Sequence, residues 1–289
     1  MKIIQIGFTL GLGFLLSGCY TPKEGCLDAS ATNFDLDADK ACSDCCTYPT
    51  LKVVLQHRVV YPTADYKLGL GDSIYYDAVG QPYHLKDIRY YLSNIHLVRP
   101  DGSEAEIEDR IELNVPNPAG GTLPIEVEDN FLLVNPKLTQ TFTLGTLRAQ
   151  GPFDRVRFTM GIAEPANFAL PEKLPTGHPL QLQTDFPMYF NADSGYVFDK
   201  IALLRDTTVA DSIPAILSIG TTPYLRTYEL VLPQLFEPVE GFNTQLTIRV
   251  DYGRWFRSIN ARLDSPDQLI QKIMDNLEGA FEVLEIKRN

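Results

Sequence analysis

Alternation with a period of two is the feature that most narrows what this chain can fold into. Between Thr244 and Tyr252, Leu246, Ile248, Val250 and Tyr252 fall on one side. Gln245, Thr247, Arg249 and Asp251 fall on the other, the pattern of a strand with one buried face. Residues 155–163 repeat it with Val156, Phe158, Met160 and Ile162, and residues 51–60 align Val53, Leu55, His57 and Val59. Residues 85–98 read as a long strand ending at Arg99-Pro100-Asp101-Gly102, a hairpin signal that predicts a return strand over 104–113. On the long strand Tyr90 and Tyr91 point to opposite faces, which predicts one in the core and one at the surface. Shorter strands are predicted at 131–134, 141–144, 196–204, 215–219, 224–232 and 281–286.

Only one segment has helical spacing. Ser265 is suited to the N-cap, Pro266 to the first helical position, and Leu269, Ile270, Ile273, Met274 and Leu277 form an apolar stripe before Gly279. The chain therefore predicts an all-β fold. It is a β-sandwich or jelly-roll-like domain over 51–289 with one C-terminal helix, preceded by a small Cys-rich acidic module. Residues 116–124 and 164–187, rich in Pro and Gly, are predicted as long surface loops, where binding sites usually sit.

The amino terminus reads as an address. Lys2 precedes an apolar run from Ile3 to Leu16, too short to span a bilayer, and Leu16-Ser17-Gly18-Cys19 resembles the bacterial lipoprotein cleavage box. Residues 1–18 are then a lipoprotein signal peptide, and Cys19 is the lipidated residue of a tethered segment over 19–50. The expected location is the outer membrane, with the protein facing the periplasm or the cell surface. Cys26, Cys42, Cys45 and Cys46 remain, and in an oxidising compartment two disulfides are the default. Cys45 and Cys46 are adjacent and poorly placed to pair with each other, so each is expected to reach back to Cys26 or Cys42. The Cys42-x-x-Cys45 spacing also admits zinc. Asp35, Asp37 and Asp39 alternate as oxygen ligands do in calcium loops, although no Gly or closing Glu completes an EF-hand; the other reading is a solvated acidic loop held by crosslinks.

Charge and missing motifs remove whole classes of function. Thirty-seven acidic against 25 basic residues give a net charge of −12, which disfavours nucleic acid. No phosphate-binding Gly loop, His-Glu-x-x-His or Gly-x-Ser-x-Gly elbow occurs, and nothing nominates a carboxylate pair, so the reading is a binding protein and not an enzyme.

Several segments together resemble the MbnP-like family, exported copper-handling proteins related to the MopE/CorA copper proteins. They are LKVVLQHRVV at 51–60, YYDAVGQPYHLKDIRYYLSNIHLVRPDG at 75–102, FDRVRFTMGI at 153–162, GHPL at 177–180, MYFNADSGYVFDK at 188–200 and SIGTTPYLRTYEL at 218–230. The resemblance implies copper held by His57 and His178, with Met188 as a soft ligand nearby. It also implies a partner, either a di-haem peroxidase-like protein or an outer-membrane TonB-dependent transporter. Phe190, Ala192 and Ser218 depart from the pattern that the resemblance implies, which has Trp at the first two positions and His at the third. The only Trp, Trp255, lies elsewhere, so Trp oxidation is not expected.

Each histidine has a plainer reading. His57 on an apolar face is also what a hydrogen-bonded core residue looks like, and His178 in a Gly-Pro loop also fits simple exposure. His84 and His96 lie about 40 Å apart on a straight strand, too far to share one ion. The rival function is a non-metal binding module that presents its long loops to a protein or glycan.

Overall fold

The computed structural model describes residues 20–209 and 213–289. The signal segment and Cys19 lie outside them. Among the described residues no helix is long and apolar enough to cross a membrane.

Two large sheets form the core of the domain. The larger is built around the strand Pro82–Val98, which pairs with Gly195–Leu204, Phe153–Met160 and Phe131–Val134; Arg226–Phe236 lies beyond Phe153–Met160, and Ala215–Gly220 beyond Gly195–Leu204. The smaller runs in the order Thr141–Thr146, Thr50–Val59, Thr244–Asp251, Phe281–Arg288, with Thr50–Val59 and Thr244–Asp251 parallel. Val53, Leu55, Leu246, Ile248 and Val250 of the small sheet meet Tyr90, Phe158 and Ile201 of the large one in a single core. Phe158 meets Phe281 edge-on, with ring centroids 5.2 Å apart. This is the expected sandwich.

The helix Pro266–Asn276 begins where the sequence placed it. Ser265 and Gln268 cap each other reciprocally, and Leu269, Ile273 and Met274 are buried. Gly279 takes φ 74°, a left-handed conformation that suits glycine just past a helix end.

Three expectations fail. The return strand after Gly102 pairs only through Glu104–Ala105, because Arg110–Pro116 turns away to pair with Thr122–Glu128. Consequently 116–124 is mostly hairpin, not a long loop: Pro116 faces Thr122 across a tight turn at Gly120 and Gly121, both with positive φ. Tyr90 and Tyr91 are both fully buried. The segment 162–198 and the hairpin cover the outer face of the large sheet and make a second apolar cluster containing Tyr91, Phe131, Met188 and Tyr196.

The N-terminal module is closed by Cys26–Cys46 and Cys42–Cys45. Each of the adjacent cysteines thus reaches back along the chain. The module rests on the domain through Gly241 N–H donating to Ser30 O and through Arg148 over the Tyr48 ring.

Candidate functional site

His57 stands near the end of Thr50–Val59 on the core side, half-buried. Its Nδ1 is 3.0 Å from the Tyr252 hydroxyl, which is 3.3 Å from the Tyr90 hydroxyl. Burial, reinforced by the Lys67 charge, pushes the imidazole pKa down to about 4, so the ring is neutral at physiological pH. Trp255 stacks on Tyr252 at 5.0 Å and meets Tyr90 edge-on at 5.2 Å. Across the sheet from Tyr90 lies Asp199, fully buried, and neither of its carboxylate oxygens has a hydrogen-bond partner among the described residues. Burial raises its pKa well above the usual carboxylate range. The Trp255 Nε1 is likewise unpartnered.

His178 belongs to another place. Its ring packs against Phe131, Nδ1 accepts from Leu180 N–H at 3.1 Å, and Nε2 lies 3.0 Å from Asp129 Oδ1. Both ring nitrogens are engaged, and the side chain is 6% exposed, so the expectation of a simply exposed loop histidine is corrected. Met188 is buried in the outer cluster with Phe131. Tyr91 and Phe131 mark the outer face of the large sheet, and Tyr90 marks its inner face. His57 therefore touches the inner layer and His178 the outer one. The two imidazoles expected to share a copper ion are separated by a sheet, because the strand alternation that buries one side of the large sheet turns the other toward the 162–198 segment.

The remaining candidates are held by structural bonds. His84 Nδ1 is 2.9 Å from Ser73 O, and His96 lies between Glu104 and Glu128 at 3.0 and 2.6 Å. In the module, Asp35 pairs with Lys23 and accepts Asp37 N–H, while Asp39 accepts Lys23 N–H. These carboxylates fold the acidic turn. Cys42, Cys45 and Cys46 are the only group of three His, Cys, Asp or Glu among the described residues whose ligand atoms lie within 4.8 Å of one another. No calcium set is assembled from Asp35, Asp37 and Asp39, and the sulfurs that zinc would need are spent in disulfides.

One feature escaped sequence reasoning. A cleft of about 620 Å³ opens where the two sheets part, with Tyr61, Tyr66 and Tyr76 at its rim and Tyr75, Tyr83 and Phe256 deeper in. Its signal was available: five of the 14 tyrosines fall between positions 61 and 83. Their meeting depends on Tyr66–Lys67 pairing with the small sheet and Ile74–Tyr76 with the large one.

The family model MbnP matches residues 49–275, most of the chain. Among solved structures, MbnP from Methylosinus trichosporium is similar over 72% of this chain and 76% of its own, at 13% identity and a TM-score of 0.39. No curated relative matches.

Proposed function

The chain belongs to the MbnP family, and we propose that it is an exported, lipid-anchored copper-handling protein whose own contact with the metal is His57. One observation carries this. Burial keeps the imidazole neutral, and the Tyr252 hydroxyl holds Nδ1. With Nδ1–H donating to Tyr252, the lone pair of Nε2 is oriented for a metal, the arrangement typical of histidine ligands. His178 is not part of the proposed site, because ligation would cost it a hydrogen bond on either nitrogen.

A single imidazole suits transfer better than storage. The remaining ligands would come from the molecule that brings or takes the copper, and the ion would be shared during exchange. The family's expected partners, a di-haem peroxidase-like protein or an outer-membrane TonB-dependent transporter, fit that role. Anchoring through Cys19 would keep the domain at the membrane, and the two disulfides suit an oxidising compartment. Titration with an acetonitrile complex of Cu(I), whose labile ligands can complete the coordination, followed by NMR of the histidine ring nitrogens, tests the proposal. The His57 ring signals should shift in the wild-type protein and in His178→Ala, and the response should vanish in His57→Ala. Unmoved His57 signals in the wild type, or the same response in His57→Ala, would overturn the assignment.

A further inference from the structure

We propose that the tyrosine cleft is a binding site for a neutral saccharide, a role distinct from copper handling; its rim tyrosines do not touch His57, although Tyr252 both lines the cleft and bonds His57 Nδ1. The rim rings are unusual in their exposure: Tyr61 is 40%, Tyr66 48% and Tyr76 69% exposed. Scattered exposed aromatics are ordinary, but three around one concave opening mark a recognition surface. None of the three hydroxyls has a hydrogen-bond partner within the protein among the described residues, so each is left to solvent or ligand.

The rings are also fixed in place. Tyr66 and Tyr76 sit on paired strands, and Tyr61 N–H is bonded to the Asp251 carboxylate. Below them the Tyr75 hydroxyl donates to Gly69 O and accepts from Gly69 N–H, and Tyr83 packs between Tyr75 and Phe256. Rigid aromatic faces bind with little loss of conformational entropy.

Charge decides the ligand class. The carboxylate of Asp77 is saturated, since Oδ1 accepts from Val79 and Gln81 N–H and Oδ2 from Ala261 N–H. Arg257 Nε and the Ser258 hydroxyl are both turned to Asn276 Oδ1. The walls thus offer no free carboxylate to a cation, and the one arginine on them already has its Nε engaged by Asn276. What remains is flat apolar ring surface edged by hydroxyls. That complements a pyranose ring, which presents a C–H face for the aromatic ring and equatorial hydroxyls for hydrogen bonds. The volume lies within the range of small-ligand sites.

Native affinity electrophoresis of the mature protein tests this, in gels containing hydroxyethylcellulose, starch, galactomannan or, as the anionic control, alginate. At least one neutral polysaccharide should retard the wild type. Tyr66→Ala and Tyr76→Ala should each weaken that retardation by about tenfold in apparent affinity while melting like the wild type. Tyr76→Phe, which keeps the ring, should retain most of it. The proposal is overturned by no retardation in any neutral gel, by retardation in alginate alone, or by retardation that both alanine variants preserve. A tyrosine-dependent dimer in sedimentation would also overturn it, since the cleft would then be a protein interface.

Discussion

Asp199 lies directly across the large sheet from Tyr90, sealed in the core with neither carboxylate oxygen bonded among the described residues. A carboxyl in such a place is held protonated, so its folded-state pKa stands above the unfolded value of about 3.9. The folded protein then binds the extra proton. Its stability is greatest below the unfolded pKa and declines as pH rises toward the folded one. Asp199→Asn removes the ionisation. It should raise stability at pH 8 by about 1 kcal/mol or more and flatten the fall in stability that begins above about pH 3.9, as read by urea denaturation at several pH values. A variant less stable than wild type at pH 8 would contradict this.

His57 gives the opposite slope. Its folded pKa, about 4, lies below the unfolded value of about 6.5, so the unfolded chain takes up the proton first as pH falls. Stability is complete above pH 6.5 and falls through the window down to pH 4, by about 2–3 kcal/mol. Thermal melts between pH 4 and 7 should show that fall in the wild type and little of it in His57→Phe.

Asn130 clamps the long strand where it bulges. Its Oδ1 accepts Ile95 N–H and its Nδ2 donates to Ile95 O, beside Asn94, which takes φ 50°. Asn130→Ala orphans two buried backbone groups and should cost about 2–3 kcal/mol in denaturant unfolding. A loss below 0.5 kcal/mol would mean that the bulge holds itself.

The module depends on its crosslinks more than the domain does. Twenty-odd residues bury little apolar surface, and Cys26–Cys46 closes a loop of 20 residues, worth roughly 3 kcal/mol. In calorimetry, reduction should abolish order in the module and leave the main transition almost unmoved. A large drop in the main transition would show that the sandwich leans on the module.

How far the sequence was legible can be traced through single residues. The strand Thr244–Asp251 and the helix after Ser265 were readable because their signals are local, alternation in one case and a cap and a stripe in the other, whereas the short helix Tyr252–Trp255 that follows the strand was not foreseen. The hairpin after Gly102 was misjudged because turn chemistry predicts a reversal, not how long the returning strand stays paired. The split of Tyr90 and Tyr91 between core and surface failed because alternation says only that their sides differ, and the chain at 162–198 determines that both sides are covered. Of the site, His57 was found on local grounds. The Tyr252–Tyr90–Asp199 surroundings were not, since they join positions more than 50 residues apart.

By itself the sequence determined the strands, the capped helix, the adjacent cysteines' inability to pair with each other and the family. All of these rest on interactions between near neighbours or on segments compared whole. Tertiary structure alone decided that His57 and His178 touch different layers, that Asp199 is left unbonded in the core, and that tyrosines from two sheets border one cleft. The physical reason is that register and layer packing choose which distant side chains meet, and neither is written in any local stretch of the chain.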